Sequence, residues 1–94
     1  MLYKDMGGLT RFYVRGNEDN AKAFTVELTW YTALAQIGSV NKMDNGDVVL
    51  NLIVDLEAYG NMDHVVERRL RELAAKYDLC GFATWDEYRM REGA

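Results

Sequence analysis

From Leu9 to Arg15 the chain alternates, with Thr10, Phe12 and Val14 on one side and Arg11, Tyr13 and Arg15 on the other. A period of two predicts a strand. Gly16 to Asn20 is polar and reads as a turn. Residues 23–31 fit two templates. As a strand, Phe24, Val26, Leu28 and Trp30 share a face; as a helix, Phe24, Leu28 and Tyr31 align while Val26 and Trp30 point away. The β-branched and aromatic content favours the strand. Thr32 to Gln36 are better helix formers, so a bulge or a single helical turn is expected there.

Asp44-Asn45-Gly46-Asp47 carries the Asn-Gly pair that suits a tight hairpin turn with two positive φ angles. It predicts a short strand near 37–43 and a long one over 47–57. In the long strand Val48, Leu50, Leu52, Val54 and Leu56 share one face, and Val49 and Ile53 make the other partly apolar. A strand apolar on both sides belongs in the middle of a sheet. After Gly60, with Asn61 or Asp63 as cap, a helix is expected over 64–78, its stripe formed by Val66, Leu70, Leu73 and Tyr77. Thr84-Trp85-Asp86-Glu87 matches a capping box and predicts a short final helix. The fold class is therefore α+β: a mainly antiparallel sheet of about four strands, followed by one long C-terminal helix and a short one.

Composition narrows this picture. Ninety-four residues make a single globular domain, 1–94, and 28% charge with 49% hydrophobic residues is an ordinary globular mixture. The single cysteine excludes an intrachain disulfide and a cysteine-based zinc site. No apolar run is long enough to span a membrane, and Met1 to Asp5 hold no signal core, so a cytoplasmic protein is expected. The net charge of −4 disfavours direct binding to nucleic acid.

Candidate chemistry is sparse. Cys80 and His64 bracket the long helix, about 22 Å apart at 1.5 Å per residue, so they make no nucleophile–base pair within one chain. A buried structural cysteine is the simpler reading. Ser39 lies in Ile37-Gly38-Ser39-Val40, which is not a nucleophile elbow. Asp63, His64 and Glu67 stand where capping would place them, so no metal and no cofactor are expected. Arg68, Arg69 and Arg71 either grip an anion or form a solvated helix face with Glu67–Arg71 and Arg68–Glu72 pairs.

Two surfaces remain as partner sites. The second sheet face collects Arg11, Tyr13, Arg15, Tyr31, Val49 and Ile53, with Thr25 and Thr29, a hot-spot composition that also suits an ordinary exposed face. Glu18, Asp19, Asp44, Asp47, Asp55 and Glu57 form an acidic set. No stretch carries a family motif. In size and charge alone the chain is similar to small acidic phage anti-defence proteins such as anti-CRISPRs, which places it in a host cytoplasm. The expected function is a non-enzymatic protein-binding module, an acidic inhibitor or regulator that occupies a partner's nucleic-acid groove. The alternative is a domain that binds a small anionic ligand through the three arginines. A homodimer through the second sheet face is a further expectation.

Overall fold

The computed structural model describes residues 2–4, 7–57, 60, 62–84 and 87. The order of elements is β1 (Arg11–Gly16), α1 (Glu18–Leu28), a 3-10 turn (Thr29–Tyr31), β2 (Ala35–Lys42), β3 (Val48–Val54), α2 (Asp63–Lys76) and β4 (Cys80–Phe82). The four strands form one sheet in the order β2-β3-β1-β4, every neighbouring pair antiparallel. Strand and helix alternate as β-α-β-β-α-β, the connectivity of the split β-α-β motif.

The antiparallel sheet and the α+β class stand; the order of elements is corrected. Helices do not follow the sheet but are interleaved with its strands. Residues 23–31 are helical, and the reason lies just before them. Asn17 is an extended N-cap whose Oδ1 accepts from the Asp19 and Asn20 amides, and Glu18 and Asp19 stand in the first turn, where the dipole favours acids. Ala21, Phe24 and Leu28 then fall on one buried stripe. Burial of this stripe overrides the strand preference of Thr25, Val26 and Thr29, and the last two residues of the segment complete the 3-10 turn.

Both helices cover the same sheet face. Their buried residues join Phe12, Val14, Leu50, Leu52 and Val54 in the main core. The stripe on α2 is Val66, Leu70, Leu73 and Ala74, with Tyr77 half-buried beside it. The other sheet face holds a smaller cluster, Val49 and Phe82 packed with Tyr13 and Met43. β3 is central and apolar on both sides, as its sequence requires.

Two turns differ from expectation. The β2–β3 hairpin has a positive φ only at Gly46, not at Asn45, and is closed by the Met43 amide bonding to the Asp47 carbonyl. It is therefore a three-residue loop rather than a two-residue one. The helix expected to reach 78 ends at Lys76, and its stop is Asp78, at φ 59°. The Leu79 amide bonds to the Ala74 carbonyl and the Asp78 amide to the Ala75 carbonyl, a Schellman arrangement with buried Leu79 as its apolar contact. This reversal aims the chain back along β1 and makes β4, a strand the sequence pattern did not reveal. The cap of α2 is Met62, without a side-chain bond, while Asp63 accepts from the His64 amide; Asn61 lies outside the described residues. So does most of the segment assigned to a final short helix, although the Thr84 Oγ1 does accept from the Glu87 amide at 3.0 Å.

Candidate functional site

The alternation of β1 and β3 brings five of the six sheet-face residues together. Arg11 stands opposite Ile53, Tyr13 opposite Asn51 and Arg15 opposite Val49, all on the helix-free face. Tyr31 is not among them: it closes the 3-10 turn on the helix side. Thr25 and Thr29 leave the sheet with it. The arginines lie along the face rather than projecting from it. Arg11 donates through Nη1 to Asn51 Oδ1 at 3.1 Å, and Arg15 Nε is 3.7 Å from Asp47 Oδ2. At the apolar centre Val49 is buried and Ile53 half-buried.

The six acids separate into two groups. Glu18, Asp19, Asp44 and Asp47 sit where β1 ends, β2 ends and β3 begins. Asp55 and Glu57 follow the opposite end of β3, about 20 Å away at 3.4 Å per residue. Within the first group Glu18 is 3.4 Å from Lys42, and Asp47 faces Arg15. No single acidic face spans them.

The three arginines do not act together: Arg68 is exposed, and the other two turn apart. Arg71 turns toward β4, donating to the Gly81 carbonyl at 2.8 Å, to Glu67 at 3.2 Å and to Glu87 at 3.3 Å. Arg69 turns toward α1 and lines a cleft of about 240 Å³ with Glu27, Tyr31, Glu72 and Lys76. Two bases against two acids give this cleft no net attraction for an anion. Inside it Lys76 Nζ donates to Glu27 Oε1 at 2.6 Å, and the Tyr77 hydroxyl donates to the same oxygen. These bonds hold the Glu27 carboxyl below its ordinary value and push Lys76 and Tyr77 up.

His64 and Cys80 lie at opposite ends of α2, and both are exposed. The exposure of Cys80 corrects its reading as a buried core residue. Among the described residues, no three or more His, Cys, Asp or Glu side chains gather closely enough to hold a metal ion.

The surface that sequence reasoning missed runs along the outside of α1 and β2. Trp30 is 81% exposed, Val26 65% and Val40 57%. Val26 lies on α1 and Trp30 four residues on, in the 3-10 turn that continues it, and both face outward. The signal was present in the helical template for 23–31, in which these two residues point away from the core. Beside them, a cavity of about 270 Å³ opens between α1 and β2, with Leu28, Ala35 and Ile37 lining it together with Thr25, Thr29 and Thr32. No family model matches this chain, and neither a curated protein nor a solved structure matches it significantly.

Proposed function

We propose that the chain is a non-enzymatic protein-binding module. The observation that carries this reading is the outward pair formed by Val26 on α1 and Trp30 in the 3-10 turn that continues it. A tryptophan at 81% exposure beside a valine at 65% leaves apolar area in water that a folded domain ordinarily buries or uses. Tryptophan is also the residue type most enriched among interface hot spots. The net charge of −4 selects a partner with a basic surface, which supports the narrower reading of an acidic inhibitor or regulator of a nucleic-acid-handling protein. Its site of action is then the cytoplasm, the host's for a phage-encoded chain. No helix among the described residues is long and apolar enough to cross a membrane.

The test is retention of a partner on immobilised chain from a lysate of its own source, followed by identification and measurement of affinity with both proteins purified. Trp30→Ala with Val26→Asp is expected to weaken that affinity by at least about 30-fold, the scale of a hot spot worth 2 kcal/mol, while leaving the unfolding midpoint in place. An unchanged affinity removes this pair from the interface. Sedimentation of the same samples separates a homodimer, the second expectation for the sheet face, from a monomer that binds a foreign partner.

A further inference from the structure

We infer that the open edge of β2 receives an extended segment of the partner as a fifth strand, with one apolar side chain seated in the cavity beside α1 and basic residues toward its ends. This inference rests on the protein-binding reading and names the kind of ligand.

Three observations converge. The first is the edge itself. β2 has eight residues, pairs among the described residues with β3 alone, and exposes Gln36 and every residue from Gly38 to Lys42. Natural edges are blunted by proline, by charge, by shortness, by cover or by a bulge that twists the strand. This one has no proline, eight residues, and a single charge at its end, which Glu18 already engages; its bulge falls at Gly38 and leaves Ser39 to Lys42 in unbroken register with β3. A strand edge in this state offers main-chain hydrogen bonds to an added strand.

The second is the cavity. It lies alongside the first half of β2, its apolar lining provided by Leu28, Ala35 and Ile37 and its polar lining by Gln36 and three threonines. None of its lining residues is charged. At about 270 Å³ it falls just under the range of small-molecule sites and suits a single large apolar side chain. An edge that binds backbone beside a pocket that selects one side chain is the geometry of strand addition.

The third is charge. Asp55 and Glu57 follow β3 beside the start of β2, while Asp44 and Asp47 lie in and after the hairpin at its finish. The acids that failed to form one patch therefore bracket the edge strand. A guest of matching charge carries Lys or Arg close to its apolar anchor on one side and about six residues away on the other, since the anchor pocket sits at the Ala35–Ile37 end. The same charges disfavour a second copy of this chain as the guest. Edge-to-edge pairing of two β2 strands, parallel or antiparallel, brings acidic ends together.

The experiment uses ten-residue synthetic peptides with one Leu or Phe anchor and Lys at both ends, titrated against the intact chain. Hydrogen exchange of the amides of residues 36–42 and fluorescence anisotropy are the readouts. Binding is expected to protect alternate β2 amides. N-methylation of alternate peptide residues is expected to abolish binding in one phase and spare it in the other, a result that side-chain contact alone does not give. Replacing the terminal Lys by Glu, or filling the cavity with Thr29→Phe, is expected to weaken binding at least tenfold. Failure of the whole set to bind at millimolar concentration, with β2 exchange unchanged, overturns the inference. The protein-binding reading survives that result if a partner is still lost on Trp30→Ala with Val26→Asp. Protection of β2 that rises with protein concentration in the absence of peptide identifies a second copy as the occupant and likewise overturns it.

Discussion

The sheet has two edges, and they are finished in opposite ways. β4 is three residues long, and side chains engage a backbone group within it and another just after it. The Gly81 carbonyl accepts from Arg71 Nη1, and the Ala83 amide donates to Glu87 Oε2 at 3.0 Å. Gly81 has no Cβ because the Phe12 ring occupies that space: a Cβ would stand 2.6 Å from one ring carbon and 2.9 Å from another. The Arg71 guanidinium then lies over the same ring, 5.6 Å from its centroid. A helix residue, a core ring and an acidic side chain thus seal this edge. β2 is eight residues long, and among the described residues no side chain bonds to its backbone. Open edges template the pairing of further strands, which is why the strand-addition proposal falls on β2 and not on β4.

The largest expected effect is common to both edges and tests the register they share. Leu52→Ala and Leu70→Ala remove side chains with no exposed area from the common core. Each is expected to cost about 2–5 kcal/mol, measured by chemical denaturation. An unchanged midpoint in either variant shows that the β1–β3 register or the α2 stripe is wrong.

A smaller effect separates the edges. Gly81→Ala forces a methyl into the Phe12 ring and is expected to cost about 1–3 kcal/mol, with exchange at β4 rising first. Gly38→Ala, at the bulge in β2, meets Asn51 O at 3.1 Å and the end of the Ile53 side chain. Part of that contact is the movable end of a side chain, so a loss below about 1 kcal/mol is expected. Equal losses erase the distinction between a packed edge and an open one. Arg71→Met extends the test: it leaves the Gly81 carbonyl without its side-chain donor and the Glu87 carboxylate with the Ala83 amide in place of two donors, and is expected to cost about 1–2 kcal/mol, with β2 exchange unaffected.

The two edges also divide what the sequence shows from what it hides. β3 and α2 were legible because their apolar residues repeat at one period over many positions, from Val48 to Val54 and from Val66 to Leu73. α1 was not, because Thr25, Val26, Thr29 and Trp30 satisfy the strand template as well as Ala21, Phe24 and Leu28 satisfy the helical one. The deciding cue was a single N-cap, Asn17, which read equally well as part of a turn. β4 escaped because three residues carry no period, and because Gly81 resembles a helix stop although it serves close packing. The sheet-face residues were found because β1 alternates cleanly; the β2 edge was not, because an edge is defined by a neighbour that is missing, and neighbours depend on topology.

The smallest effect concerns what joins the two sides. α1 flanks β2 and α2 flanks β4, and Glu27 ties one helix to the other through Lys76 and Tyr77. The Lys76 hydrogen bond, more than that of Tyr77, lowers the Glu27 carboxyl from its ordinary 4.5. The charged form is favoured in the folded state, so its contribution is complete above about pH 4.5 and is lost as the pH falls through the lowered value. Lys76 is raised from 10.5 and Tyr77 from 10.0, both chiefly by their bonds to Glu27. Each favours its protonated form in the fold, so these contributions hold below about pH 10 and vanish as the pH rises through the raised values. Glu27→Gln is therefore expected to lower Tm by a few degrees at most near neutral pH, and the gap from the natural chain should close at both extremes. High salt should narrow the gap at every pH, since this pair is open to water. Exchange in the same variant is expected to rise in α1 and leave β4 untouched. A gap that stays constant from pH 3 to 11 shows that Glu27 acts through packing, and that the two sides of the molecule are joined by the core alone.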